Sequence, residues 1–151
     1  MIELYTDGAA KGNPGNGGYG TVLIFGKHRK ELSEGFRMTT NNRMELLAVI
    51  AGLEALNTNE HPVTIYSDSK YVVDSINKGW LQGWEKKGFK GKKNIDLWKR
   101  FLPLGKKFNL TFKWVKGHVG IPENERCDEL AVAAALGSNL LIDEGFESQL
   151  D

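Results

Sequence analysis

The chain has 151 residues, a single cysteine and a formal net charge of +1. That length suits one domain whose core is large enough to fold without a disulfide or a structural metal, and the lone Cys127 excludes an internal disulfide. No apolar run approaches the ~20 residues of a membrane span and no charged-apolar-cleavable leader pattern opens the chain, so the expectation is a soluble cytoplasmic protein without membrane contact.

Residues 2–7 alternate apolar with polar, the period of a strand with one buried face. The stretch Gly8 to Gly18 is glycine-rich and holds the turn cluster Asn13-Pro14-Gly15-Asn16-Gly17. Tyr19 to Phe25 and Arg29 to Met38 read as two strands joined in a hairpin at Gly26-Lys27-His28. Met44 to Leu56 is apolar except for Glu45 and Glu54 and reads as a largely buried helix. Val63 to Ser67 is a short β-branched strand, and a helix is expected over Ser69 to Ile76. Asn94 to Leu104 has helical composition with Pro103 near its end, and Asn109 to Val115 alternates as the last strand. The final helix runs from Pro122 to Leu136, with Cys127, Leu130, Ala131 and Ala134 at core-facing spacing and Gly137 as a stop. Three strands in meander followed by helix–strand–helix–strand–helix predict an α/β fold: one five-stranded mixed sheet, antiparallel then parallel, flanked by helices.

Charge is unevenly spread. Lys78 to Lys116 holds 12 Lys and Arg against Glu85 and Asp96, a net +10, while the rest holds 8 against 17, a net −9. A basic block on an acidic body is what a polyanion-binding face requires, although a merely solvated lysine-rich surface has the same composition.

Four carboxylates stand out against ordinary readings. Ligands of open α/β sheets gather beyond the carboxyl ends of the strands; Asp7 ends the first strand and Asp68 follows the strand Val63 to Ser67. Taken singly, Asp7-Gly8 is a turn pair, Asp68-Ser69 a helix cap, and Asn42 to Glu45 has the spacing of a capping box. Asp128 follows the core-facing Cys127, with Asn124 one turn before it on the same face. Carboxylates brought together repel one another and need protons or cations. Oxygen donors without a Cys or His cluster favour Mg²⁺ or Mn²⁺. Beside a +10 segment, such a site points to phosphodiester chemistry on a nucleic acid.

Motifs in this order carry a resemblance. They are Tyr-Thr-Asp-Gly at 5–8, Gly-Asn-Pro-Gly at 12–15, Thr-Thr-Asn-Asn-Arg-Met-Glu at 39–45 and Ser-Asp-Ser at 67–69. Asp-Leu-Trp at 96–98, Trp-Val-Lys-Gly-His at 114–118 and Pro-Glu-Asn-Glu-Arg-Cys-Asp-Glu-Leu-Ala at 122–131 follow. From Met1 to about Leu136 the chain resembles the bacterial type 1 ribonuclease H family. The resemblance implies the ribonuclease H-like fold and an endonuclease that cuts the RNA strand of RNA–DNA hybrids, leaving 5′-phosphate and 3′-hydroxyl ends with two Mg²⁺ ions per site, or Mn²⁺ in their place.

Carried over by position, Asp7, Glu45, Asp68 and Asp128 become metal-binding catalytic carboxylates, and His118 matches a loop histidine that aids proton transfer or product release. Asn124 matches an auxiliary residue near the site. Asn13, Thr40 and Asn41 match positions that hold substrate backbone, including a DNA-strand phosphate; Gly8 and Asn42 match contacts near RNA 2′-hydroxyls. Lys78 to Arg100 matches a basic protrusion in which Lys86 and Lys87 meet phosphates, Trp80 and Trp98 line the DNA-strand groove, and Trp84 joins a satellite core. Gly79 reads as an extra residue before Trp80, and Lys70 stands where glutamine is commoner. The domain expectation is a catalytic unit at 1–137, the protrusion at 78–100 included, and an acidic, loosely ordered tail at 138–151, acting as a monomer. The rival readings are a non-catalytic hybrid-binding module and a DNA nuclease or resolvase of the same fold.

Overall fold

The computed structural model describes residues 1–117 and 120–149. Strands β1 (Ile2–Lys11), β2 (Gly15–Phe25) and β3 (His28–Thr39) form the antiparallel meander, and β4 (Val63–Ser67) and β5 (Leu110–Trp114) complete one sheet in the order β3-β2-β1-β4-β5. β1 runs parallel to β4, and β4 parallel to β5, as the element order predicts. Phe25 pairs with His28, which leaves Gly26-Lys27 as a two-residue turn; Gly26 supplies the left-handed backbone at φ +60°.

Helix α1 (Asn41–Glu54) covers one face of the sheet, with Met44 to Ile50 wholly buried. Helix α5 (Pro122–Leu136) covers the other face through Cys127, Ala131 and Ala135. Glycines let α5 lie directly on the strands, because a β-carbon at Gly18 or Gly20 would overlap the carbonyl oxygen of Ala131 or Cys127. This explains why glycines read from sequence as part of a long turn belong to β2: the turn itself is confined to residues between Lys11 and Gly15.

Helix α2 (Lys70–Asn77) leads into the basic block, whose first part lies on α3 (Trp80–Lys86), the connection after it and α4 (Ile95–Lys107). α3 is absent from the sequence reading. Gly79, the extra residue before Trp80, forms the left-handed joint between α2 and α3 at φ +74°. α4 continues through Pro103 to Lys107, a turn beyond the predicted end. Helix α6 (Glu144–Glu147) follows α5. Among the described residues no helix is long and apolar enough to cross a membrane.

Two expectations are corrected. Trp98 does not line a groove: it is fully buried, its indole N–H donates to the Tyr71 hydroxyl at 2.8 Å, and its ring meets Trp84 and Phe101 edge-on at 5.9 Å. Its place on α4 explains this, since Trp98 and Phe101 are three residues apart on the helix face that meets the core. Trp84 packs, part-buried, against the main core rather than forming a satellite one. The tail is not loose over residues 138–149. Asp143 is buried against Arg43 and Thr39, and Leu141 bonds to β3; an acidic residue meets a buried arginine about a hundred positions away, a partner that tail composition cannot reveal.

Candidate active site

Asp7, Glu45 and Asp68 converge. Thr6 pairs with Ser67 at the end of the parallel β1–β4 ladder, so the next residue of each strand, Asp7 and Asp68, emerges at one edge. β1 itself continues to Lys11 along β2, so Asp7 ends the parallel ladder rather than the strand. Ser69 caps α2, its hydroxyl accepting from the Val72 N–H at 3.2 Å, and Asp68 is thereby released from capping. At α1 the cap is Thr40, in extended backbone, with its hydroxyl accepting from the Arg43 N–H at 3.3 Å. The expected capping box at Asn42 to Glu45 does not form. The helix starts earlier, and Glu45 lies one turn in, facing the strand ends.

Gly8 completes the approach: a β-carbon there would overlap the backbone of Met44 and Glu45. The result is three carboxylates, each offering an oxygen, with those oxygens all within 4.8 Å of one another. Asp7 and Glu45 are buried and Asp68 half-buried. The Gly8 N–H donates to Asp7 Oδ1 at 2.8 Å, and the Trp114 indole donates to the Asp68 carbonyl at 3.1 Å.

Electrostatics mark the cluster as strained without a cation. Burial pushes Asp7 up to about 7, the charges of Asp68 and Asp128 add to that, and hydrogen bonds from Glu45 and Gly8 oppose it. Glu45 is held well above the usual carboxylate range by burial and then by Asp7 and Asp68. Glu45 Oε1, Asp68 Oδ1 and Asn124 Oδ1 are buried side-chain oxygens without a hydrogen-bond donor. Unpaired buried oxygens are costly, and a hard divalent cation satisfies them. The donor set therefore fits a metal of the Mg²⁺ type.

Asp128 sits half-buried on α5 and is not one of the three converging residues, although its charge acts on Asp7. His118 lies outside the described residues.

The candidate substrate contacts divide. Asn13 and Asn41 brace each other's segments: the Asn41 N–H donates to Asn13 Oδ1 at 3.2 Å, and Asn41 Oδ1 accepts from the Ala10 N–H at 3.1 Å. Asn13, Thr40 and Asn42 line a cavity of about 400 Å³, which they share with Lys93 and Asn94. Lys93 belongs to the basic block read from sequence, whereas Asn94 was missed as a site residue. Asn94 adopts a left-handed backbone at φ 61° just before α4, a conformation that Asn tolerates better than most residues, and an Asn before a helical run is the signal that marked it. A larger cavity, about 510 Å³, lies over Arg43, Asp96 and Asp143, away from the carboxylate edge. Lys86 and Lys87 are exposed, and Trp80 is 44% exposed with the Lys78 ammonium 5.4 Å from its ring centre. Lys70 lies over Trp114, 4.8 Å from the ring centre.

A mixed sheet with an oxygen-only carboxylate cluster at its parallel strand ends, in a chain that carries a basic block, is the construction of a metal-dependent nuclease. Comparison with known proteins makes the assignment particular. The ribonuclease H family pattern matches residues 1–136. The chain is 55% identical over 153 residues to ribonuclease H of Rippkaea orientalis, covering 98% of this chain and 93% of that one. It is 57% identical over 147 residues to ribonuclease H of Desulforamulus reducens, covering 94% and 92%. Among solved structures, LC9-RNase H1, a type 1 RNase H with the type 2 active-site motif, superposes with a TM-score of 0.80 at 30% identity over 97% of this chain and 79% of that one. LC11-RNase H1, solved in complex with an RNA/DNA hybrid, superposes with a TM-score of 0.68 at 27% identity over 89% and 96%. The chain belongs to the ribonuclease H family.

Proposed function

We propose that this enzyme is an endonuclease for the RNA strand of RNA–DNA hybrids and leaves 5′-phosphate and 3′-hydroxyl ends. The observation that carries the reading is the convergence of Asp7, Glu45 and Asp68 with their undonated oxygens. These three would hold Mg²⁺, or Mn²⁺ in its place, and Asp128 would join them from α5. When bound, two such cations supply a nucleophilic water at neutral pH and charge neutralisation at the departing 3′ oxygen.

The chain's own residues then do five things. The carboxylates fix the cations without attacking covalently. Asn124, one turn before Asp128 on α5, would add its buried, undonated Oδ1. His118 moves a proton or speeds product release. Gly8, Asn13, Thr40, Asn41 and Asn42 hold backbone, with the 400 Å³ cavity taking a phosphate of the DNA strand. Trp80, Lys86 and Lys87 extend the grip along the duplex. One strand must offer 2′-hydroxyls and the other must fit the phosphate cavity, so selection is by backbone shape with little sequence preference. The enzyme acts as a cytoplasmic monomer.

Labelled RNA–DNA hybrid, duplex DNA and duplex RNA, each incubated with Mg²⁺ and with chelator, test the reading. Cleavage of RNA in the hybrid alone, abolished by chelator, is expected. Cleavage of duplex DNA would favour a resolvase-type nuclease, and hybrid binding without cleavage a non-catalytic module.

A further inference from the structure

The chain after α5 returns to the substrate side of the molecule and is fastened there at successive points. The Leu141 N–H donates to the Gly35 carbonyl at 2.8 Å, and the Leu141 carbonyl accepts from the Arg37 N–H at 2.9 Å. Asp143 is 7% exposed. Its Oδ2 accepts from the Thr39 hydroxyl at 2.6 Å and Arg43 Nε at 2.8 Å, and its Oδ1 from Arg43 Nη2 at 2.9 Å. Arg43 is itself 2% exposed and spends its other edge on Asp96 at the start of α4, at 2.8 and 2.7 Å. Burial works against the Arg43 charge, yet the bonds to Asp96 and Asp143 hold its guanidinium above the ordinary arginine value. Gly145 is required at this junction, since a β-carbon there would overlap the Asp96 carboxylate.

One arginine thus joins α1, α4 and the terminal segment, one turn from Thr40 and next to Asn94. The segment so anchored puts Phe146 and Gln149 into the wall of the cavity that Asn13, Thr40, Asn42, Lys93 and Asn94 line.

We propose that residues 141–149 are a working part of the DNA-strand phosphate site: Phe146 and Gln149 close one side of that cavity, and Asp143, acting through Arg43, is the positioning residue that keeps them there. This rests on the reading that the cavity takes a DNA-strand phosphate. An aromatic wall excludes water from one side of the bound phosphate, which strengthens its attraction to the Lys93 ammonium. The Gln149 amide offers two N–H donors of the kind a phosphate oxygen accepts. The bonds from Arg43 and Thr39 to both of its oxygens offset part of the Asp143 charge toward the ligand.

The test uses the full chain and hybrids in which single DNA-strand linkages are neutral methylphosphonates. Wild-type KM should rise about 10-fold at one linkage, the one seated in the cavity. Phe146→Ala and Gln149→Ala should each raise KM for the unmodified hybrid about 5-fold with kcat unchanged, and should shrink the penalty at that linkage below about 2-fold. Phe146→Tyr should restore both values. Gln149 is exposed, so its truncation reports on the wall without threatening the fold. Wild-type KM in both Ala variants, or a raised KM with the linkage penalty intact, overturns the inference. A wild-type enzyme indifferent to every substituted linkage overturns the phosphate reading and this inference with it.

Discussion

Gly8 and Glu45 touch backbone to backbone: the space a β-carbon would need on Gly8 is filled by the Glu45 nitrogen and the Met44 carbonyl carbon. That contact sets how deeply α1 rests on β1, and so how near Glu45 comes to Asp7. Gly8→Ala must push the helix outward and draw Glu45 from the cluster. Misplacement of about 1 Å can cost about 100-fold in rate, so kcat should fall by about that factor. Circular dichroism should keep its native form, and the Mg²⁺ midpoint for activity should move to higher concentration. Full activity in this variant would mean that the contact does not set the site.

Asp7 gives a pH signature in metal-free protein. The folded state keeps its proton up to about 7, while the unfolded chain releases it near 3.8. Between these values the folded state binds more protons, so its stability falls as pH rises through that window. Melting temperatures in chelator should therefore decline from about pH 4 to pH 7, and Glu45, also held above its ordinary value, adds to the decline. Asp7→Asn removes the carboxylate charge: the decline should flatten, and at pH 8 the variant should melt about 5 °C above wild type. The same variant should lose both cleavage and the stabilisation that added Mg²⁺ gives wild type, while hybrid binding largely survives.

What the sequence could and could not reveal follows from the range of each interaction. Asp7 and Asp68 were legible because each comes just after the residues that pair in the parallel β1–β4 ladder, and strand order then fixes where they meet. Glu45 was legible only through the motif around it, since the capping box its spacing implied is not formed; Thr40 takes that role. Trp98 was misread because lysines surround it in sequence, whereas helical spacing with Phe101 turns it inward. The tail was misread for a different reason. Its acidic composition signals solvent unless a buried cation waits elsewhere in the chain, and Arg43 is one. Gly18 was read as part of a turn-rich stretch, yet it lies, with Gly20 and Gly35, where α5 rests on the sheet.

Exposed lysines on the protrusion should act through phosphates, and their contribution should depend on salt. Changing Lys86, Lys87, Lys92 and Lys93 together to Gln should raise KM by about 10-fold or more at low salt. Wild-type log KM should climb steeply with log salt concentration, and the variant's slope should be shallower by about one for each phosphate contact removed. kcat at saturating substrate should persist, because none of these lysines is among the carboxylates that would hold the cations. A collapse of kcat instead would assign these lysines to the chemical step.

Trp80 and Trp98 separate binding from folding. Trp98 is fully buried, donates to Tyr71 at 2.8 Å and contacts three aromatic rings. Trp98→Ala should cost about 3–5 kcal/mol of stability. Trp98→Phe keeps most of the packing but removes the donor to the Tyr71 hydroxyl, and should cost about 1–3 kcal/mol. In either variant KM should stay near wild type at temperatures where the protein is folded. Trp80 is 44% exposed at the start of α3, so Trp80→Ala should shift stability by less than about 0.5 kcal/mol. Its loss removes an aromatic platform from the substrate side, and KM should rise about 5-fold, since stacking on an aromatic is worth about 1–3 kcal/mol per base or sugar face engaged. Urea melts and steady-state kinetics on the same three variants check both halves. If Trp98→Phe raised KM while Trp80→Ala left it unchanged, the assignment of the two indoles would have to be exchanged despite the burial of Trp98 and the exposure of Trp80.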